Sequence, residues 1–557
     1  MLKFHKLLCS CLIATALSVQ SGLAYSSEKE ADPPPTKSSK YEQLLLDFKC
    51  DSAISALQTP LAAALKLKDF ALAAKIMRMI ALAFRLDEND RAASQAALIA
   101  VTLNPNDERA QFQAAEYLVR DGRWQESESI LEKLTKSKNK STALRASAFL
   151  AHQRGNVLGA IEGLEKYSKI EPADQRALLR LSYLYLINED GKKAAEVQRQ
   201  LSELSSTDYM KEIFLGRAAE SEANADLADE HYRKAGSHLP EDPLWRAQIG
   251  LRLMKAQKVK EADAELKQCF AARRLMSSPY TNWALMQAFF GSSENAKSCL
   301  AYLKKLRPNA SETYFVEGVV LEKICKQENA AAAFKQAIAL NPHSSSPYLH
   351  LINMPDIQKT LAQRIELRKT WTEGCPNSNM AAIELGNALK EDGKIDEALL
   401  SYRRAEELLK GRKAPSDPNA RIAICKMHAS IACINYQQKD LDAALEEARI
   451  FNETRPDSAS GLGMRPAKMD LEKLDGAARK GAEHALLADT LSESRLLQDA
   501  ENEYRLAMKE DPSNQSYHSC LLKVLLDKKD YAAAAAEDAA VSQNIVSHIG
   551  DIFSKKK

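Results

Sequence analysis

Glycine and proline are scarce in this chain, 20 and 19 among 557 residues, and aromatic residues make up only 6%, with four tryptophans. A sheet-rich fold needs frequent turns and many aromatic or β-branched residues on its pleated surfaces, so these shortages argue against one. Charge of a single sign is lacking too. The 77 Lys and Arg face 75 Asp and Glu, and the only local excess is the terminal run Lys555, Lys556 and Lys557. Proteins that hold nucleic acid neutralise phosphates with a basic surplus, which this chain does not have, so no nucleic-acid partner is expected.

Motifs for chemistry are equally thin. There is no His-Glu-x-x-His zinc pattern and no Gly-x-Ser-x-Gly elbow. Gly476 and Gly481 have phosphate-loop spacing, but Ala482 stands where that loop needs lysine. Of ten cysteines, Cys9 and Cys11 fall near the N-terminus, and the remainder form no Cys-x-x-Cys pair. Cys425 and Cys433 lie too far apart along one expected helix to bridge. The pairs His343 with His350 and His231 with His238 read as solvated or core-edge histidines. Glu116, Glu126 and Glu128 read as a solvated helix face. The expectation is a non-enzyme with no catalytic residue, cofactor or metal.

The N-terminus carries Lys3 and Lys6, an apolar stretch from Leu7 to Val19, and the small-residue run Gly22-Leu23-Ala24. This reads as an export signal over residues 1–24, cleaved after Ala24. The apolar stretch is short for a bilayer span, and no later run reaches 18 apolar residues, so no integral membrane domain is expected after cleavage. The expected location is outside the cytoplasm, secreted or periplasmic. An uncleaved N-terminal anchor is the alternative. Residues 25–40, with Pro33, Pro34 and Pro35 in a charged setting, read as a disordered tether.

What is present is helix-forming composition and a period. Ala, Leu, Glu and Lys abound. Ala228, Ala262, Ala296 and Ala330 recur every 34 residues, as do Gly216, Gly250, Ala284 and Gly318. Pro240, Pro308, Pro342 and Pro376 keep the same step. A period of this length marks an array of small units, none of which can bury its apolar face alone. Within a unit such as 209–242, small residues mark where two helices cross, an aromatic fills the gap beside them, and proline ends the second helix.

These residues resemble the tetratricopeptide repeat (TPR). The likeness is strongest in 311–344, through Gly318, Ala330, Phe334, Ala337 and Pro342. It is nearly as strong in 379–412, through Gly386, Gly393, Ala398, Tyr402 and Ala405. The expected fold class is therefore all-α, an α-solenoid of about 12–13 tandem helix-turn-helix repeats, some of them degenerate. The unit 345–376 keeps the length but places Ile352 and Arg364 at the crossing positions. The expected array runs over 41–376 and resumes over 377–541, with insertions at 411–424 and 457–480 and a tail at 542–557.

The resemblance further implies that the first helix of each repeat lines a concave face. Carried onto this sequence, its lining positions are Met210, Ile213, Leu251, Met254, Leu285, Phe289, Phe315 and Val319, with Arg217 among them. The Lys and Asn clamp by which some relatives hold a peptide carboxylate has no counterpart here. The functional expectation is an exported scaffold whose apolar concave groove binds protein or peptide partners. An envelope-assembly factor acting on exopolysaccharide or unfolded client proteins is the alternative. A competing expectation is that part of the groove packs against neighbouring helices.

Overall fold

The computed structural model describes residues 41, 44–45, 49–270, 277–354, 360–410, 418–454 and 471–539. The expected export signal, tether and tail lie outside the described residues, as does Gly461-Leu462-Gly463 of the second insertion. Of the first insertion, residues 418–424 belong to the helix Pro418–Gln437. Among the described residues there are helices and short turns but no strand. Consecutive helices pack as antiparallel pairs, for instance Asp208–Ser221 on Ala225–His238 and Ser311–Lys323 on Gln327–Leu340. The chain divides into two units, one ending at Ser378 and the other beginning at Asn379.

Four of the pairs share one contact. A Cβ added at Gly216 would stand 2.5 Å from the Tyr232 ring, and one at Gly386 would stand 2.5 Å from Tyr402. Gly318 meets Phe334 in the same way, and Gly250 meets Leu266 at 2.8 Å. Only a residue without a side chain lets the second helix set a large group directly on the first helix's backbone. Tyr232, Phe334, Tyr402 and Tyr504 are fully buried there. The tyrosine hydroxyls are satisfied within their own repeats: Tyr232 donates to Glu220, Tyr402 to Asn387 and Tyr504 to Asp489.

The turn between the two helices is just as regular. In most of the hairpin turns one residue adopts positive φ, among them Gly155, Glu189, Ala223, Gln257, Cys325 and Gly393. The left-handed residue ends the first helix, and where its successor is Asn or Asp that side chain caps the second. Asn156 accepts from Gly159, Asp190 from Lys193 and Asn224 from Leu227. The degenerate unit 345–376 departs where its crossing residues are lost. Its first helix, Ser345–Ile352, is short, and the fully buried Trp371 stacks on Tyr348 at 6.1 Å in place of the usual crossing.

The first unit also touches itself across long stretches of sequence. Asp90 accepts hydrogen bonds from Nε of Arg120, at 2.9 Å, and from Nε of Arg307, at 2.7 Å and 217 residues away. Glu88 accepts from the backbone of Ser277, and Asn377 donates to the Arg154 carbonyl. Trp124 lies edge-on to His343 at 5.7 Å. These contacts join repeats roughly five and a half to six and a half 34-residue steps apart, so the first unit winds through one superhelical turn and closes on itself. Burial alone would push the Asp90 carboxyl up. The guanidiniums of Arg120, Arg307 and Arg85 outweigh it and hold Asp90 well below the usual carboxylate range. Burial, helped by Arg120, presses Arg85 down to about 10.

Three outcomes follow from this packing. Gly318→Leu drives a side chain into the Phe334 ring and should cost ~1–3 kcal/mol or more. Lost amide protection in hydrogen exchange should concentrate in 277–376, and unchanged protection there would contradict the crossing argument. Ala223→Gly removes an L-residue from left-handed backbone and should leave stability unchanged or raise it by up to ~1 kcal/mol, whereas Ala219→Gly inside the helix should lower it by ~1 kcal/mol. Urea denaturation of both variants decides this. Asp90→Asn leaves two buried arginines without their counter-charge and should destabilise the first unit by ~3–5 kcal/mol. Because Asp90 titrates lower in the folded state, its contribution is complete above the unfolded carboxylate pKa of ~3.9 and fades as pH falls through the folded value. Wild-type protein should therefore lose a stability increment below about pH 4 that the variant never had.

Candidate protein-binding face

The first helices of successive repeats pack side by side: Leu244–Lys255 against Ser277–Phe290, and Ser277–Phe290 against Ser311–Lys323. Leu251, Leu285 and Val319 occupy one position in these three helices and are 4%, 0% and 0% exposed. Ile213, Met254 and Phe315 are buried as well, and all six belong to one continuous hydrophobic core. The expected open groove is therefore corrected at these residues. Their apolar side chains fill the seam between adjacent first helices, and neighbouring helices cover what the repeat pattern alone would leave bare. Met210 and Phe289 are the two that keep partial exposure, packed against the edge of that core.

Around these two the surface has usable chemistry. Phe290, next to Phe289, is 46% exposed, and the Lys323 ammonium sits 4.4 Å above the Phe289 ring. Arg217 is buried, and its three guanidinium nitrogens have no hydrogen-bond partner among the described residues. Burial presses its pKa down, against the pull of Tyr232 and Glu220. Desolvating a guanidinium without an acceptor is costly, so this side chain has unmet demand for a carboxylate, a carbonyl or water. A cleft of about 250 Å³ opens between the helices Val259–Cys269 and Ser277–Phe290, with Lys260, Asp263, Met286 and Gln287 on its wall. Asp263 accepts there from Trp283 Nε1 at 2.7 Å and from Gln287 Nε2 at 2.9 Å.

Other sequence candidates take structural places. His350 is buried, with Nδ1 2.7 Å from Glu322, while His343 Nδ1 meets the Gly374 carbonyl at 2.6 Å. His231 Nδ1 pairs with Glu212 at 2.7 Å, so neither histidine pair converges. Glu116 is not on a solvated face: it takes a hydrogen bond from Arg180 and is largely covered. Cys269 lies in the core as expected, and burial pushes its thiol, like that of Cys299, up to about 12. Sequence reading missed a set of partly buried imidazole–carboxylate pairs in the second unit: His428 with Glu447, His484 with Glu503 and His518 with Glu537, each 19 residues apart. That spacing, repeated three times, was the available signal.

No protein-family model matches the chain. Among curated proteins, a BBSome complex member BBS4 homolog of Drosophila melanogaster is 28% identical over 183 residues, covering 32% of this chain. The match spans only 37% of that relative's length. Similar solved structures include the APC/C hetero-tetramer Cut9–Hcn1, at 13% identity, 90% of this chain, 96% of that chain and a TM-score of 0.36. Yeast Tom70 is similar at 16% identity, 85% and 98% coverage and a TM-score of 0.36. A tetratricopeptide repeat protein from Parabacteroides merdae is similar at 14% identity, 44% and 98% coverage and a TM-score of 0.33. The fold rests on the chain's own geometry: helical hairpins repeat on a 34-residue step, with a glycine under a large side chain at the crossings of Gly216, Gly250, Gly318 and Gly386, and this is the all-α array of helix-turn-helix repeats that the tetratricopeptide resemblance implies.

Proposed function

We propose that this chain is a non-enzymatic scaffold, exported through its N-terminal segment, that binds protein partners through the exposed edge of its first-helix face. The observation that carries this reading is the apolar surface left at that edge. Phe289 and Met210 are only partly covered, Phe290 is 46% exposed, and the Lys323 ammonium lies over the Phe289 ring. A peptide that lays apolar side chains on these residues would remove that surface from water. Repeat arrays suit this role because they present long surfaces without needing a closed pocket.

The test uses the mature chain and the main protein that co-purifies with it. Phe289→Ala should weaken binding of that partner by about thirtyfold, the ~2 kcal/mol typical of a central aromatic anchor. Its helical circular-dichroism signal should stay intact. Phe315→Ala is unsuitable as a probe, because truncating a core phenylalanine costs ~3–5 kcal/mol of stability. Undiminished affinity in Phe289→Ala would move the binding face elsewhere. Export is checked separately, by fractionation and N-terminal sequencing: a mature chain starting at Tyr25 supports it, and a cytoplasmic chain starting at the first residue overturns it.

A further inference from the structure

In the second unit three successive repeats carry the same pair, a histidine on the first helix and a glutamate on the second. His428 Nδ1 is 2.7 Å from Glu447 Oε2, His484 Nδ1 is 2.6 Å from Glu503, and His518 pairs with Glu537. The first unit uses the same two places with other groups: Glu212 with His231, and Arg246 with Glu265 at 3.0 Å. The pair alone is therefore an ordinary strut between the two helices of a hairpin.

One of the three has something more. Glu406, on the second helix of the preceding repeat, brings Oε1 to 3.5 Å from the same Nδ1 of His428. Its counterparts before the next two histidines are Asn452 and Met508. Glu503 of the following pair has its other oxygen satisfied by the Tyr436 hydroxyl at 2.7 Å, a neutral donor. At His428 a second carboxylate faces the imidazole instead. The histidine is buried and the two glutamates are partly covered, and ligand atoms of all three lie within 4.8 Å of one another. One Nδ1–H can serve one carboxylate well, so two acids converge on a single proton.

We propose that Glu406, His428 and Glu447 form a zinc site that ties the repeat containing Glu406 to the repeat that follows. Ligands about 2.1 Å from a tetrahedral zinc stand about 3.4 Å apart. The separations of 3.5 and 2.7 Å at His428 Nδ1 bracket that value, so small side-chain adjustments suffice. An imidazole nitrogen disfavours calcium and magnesium, which take oxygen ligands, whereas one nitrogen and two carboxylate oxygens suit zinc with a water in the fourth position. Binding needs a free lone pair on Nδ1, so the single proton of the neutral imidazole moves to Nε2, and acid competes with the ion for Nδ1 and for the two carboxylates. Occupancy therefore falls as the solution is acidified. The three ligands come from three helices, Ile395–Leu409, Pro418–Gln437 and Leu441–Thr454, so the ion cross-links adjacent repeats.

Zinc alone, titrated calorimetrically into the full chain, tests this. One equivalent should bind, with a rise in the melting temperature of the second unit. Glu406→Gln keeps the histidine–glutamate strut and should lose at least about tenfold in zinc affinity together with the thermal shift, whereas His484→Gln, which removes a strut without a third acid, should change neither. Cobalt substituted for zinc should show weak visible bands without thiolate charge transfer, because no cysteine is in the proposed set. Wild type that binds no zinc, Glu406→Gln that binds as wild type does, or a thiolate band in the cobalt spectrum each overturns the assignment.

Discussion

Everything in this molecule depends on how closely two helices of one hairpin can approach. Where Gly216, Gly318 or Gly386 presents bare backbone, the partner helix sets a full aromatic ring on it. The angle and distance of that crossing then fix where the next hairpin starts. A Cβ at the glycine would stand 2.4–2.5 Å from that ring, so the helices would have to move apart. Because each hairpin sets its successor's orientation, small changes in one crossing accumulate along the array. The left-handed turn and its Asn or Asp cap do subordinate work: they reverse the chain in the few residues that the crossing geometry leaves available.

The hairpins were legible in the sequence because their determinants are local. Gly318 and Phe334, or Gly386 and Tyr402, lie within one repeat, and their residue types announce the contact. The fate of the expected groove was not legible. The pattern that assigns Leu251, Leu285 and Val319 to one face says nothing about how tightly the first helices of neighbouring repeats abut, and in the structure they abut closely enough to bury all three. The Asp90–Arg307 contact was further out of reach, since it reflects a rotation summed over many repeats, each too small to read from residue types. The strut between His428 and Glu447 lay in between. Its spacing recurs in the sequence, but the approach of Glu406 depends on the packing of two repeats.

Polar groups are placed with the same economy. The places that hold a histidine and a glutamate in the second unit hold an arginine and a glutamate, or the reverse order of acid and histidine, in the first. What such a place requires is complementarity across the hairpin, which several residue types supply. Arg217 stands apart from this rule, a buried cation whose nitrogens no neighbour bonds. An unmet group of that kind costs stability.

The closure of the first unit through Asp90 and Arg307 bears on how such a protein can change over evolution. Open repeat arrays lengthen and shorten readily, because a unit added or deleted meets the same kind of neighbour on either side. Here a repeat gained or lost between these two residues would shift every cross-turn partner by one repeat. Asp90 would then face a different side chain, and Arg307 would be left buried without its acid. The stretch between them is consequently locked in repeat number. Variation in length is confined to segments outside the closed turn, which is where the two expected insertions of this chain lie.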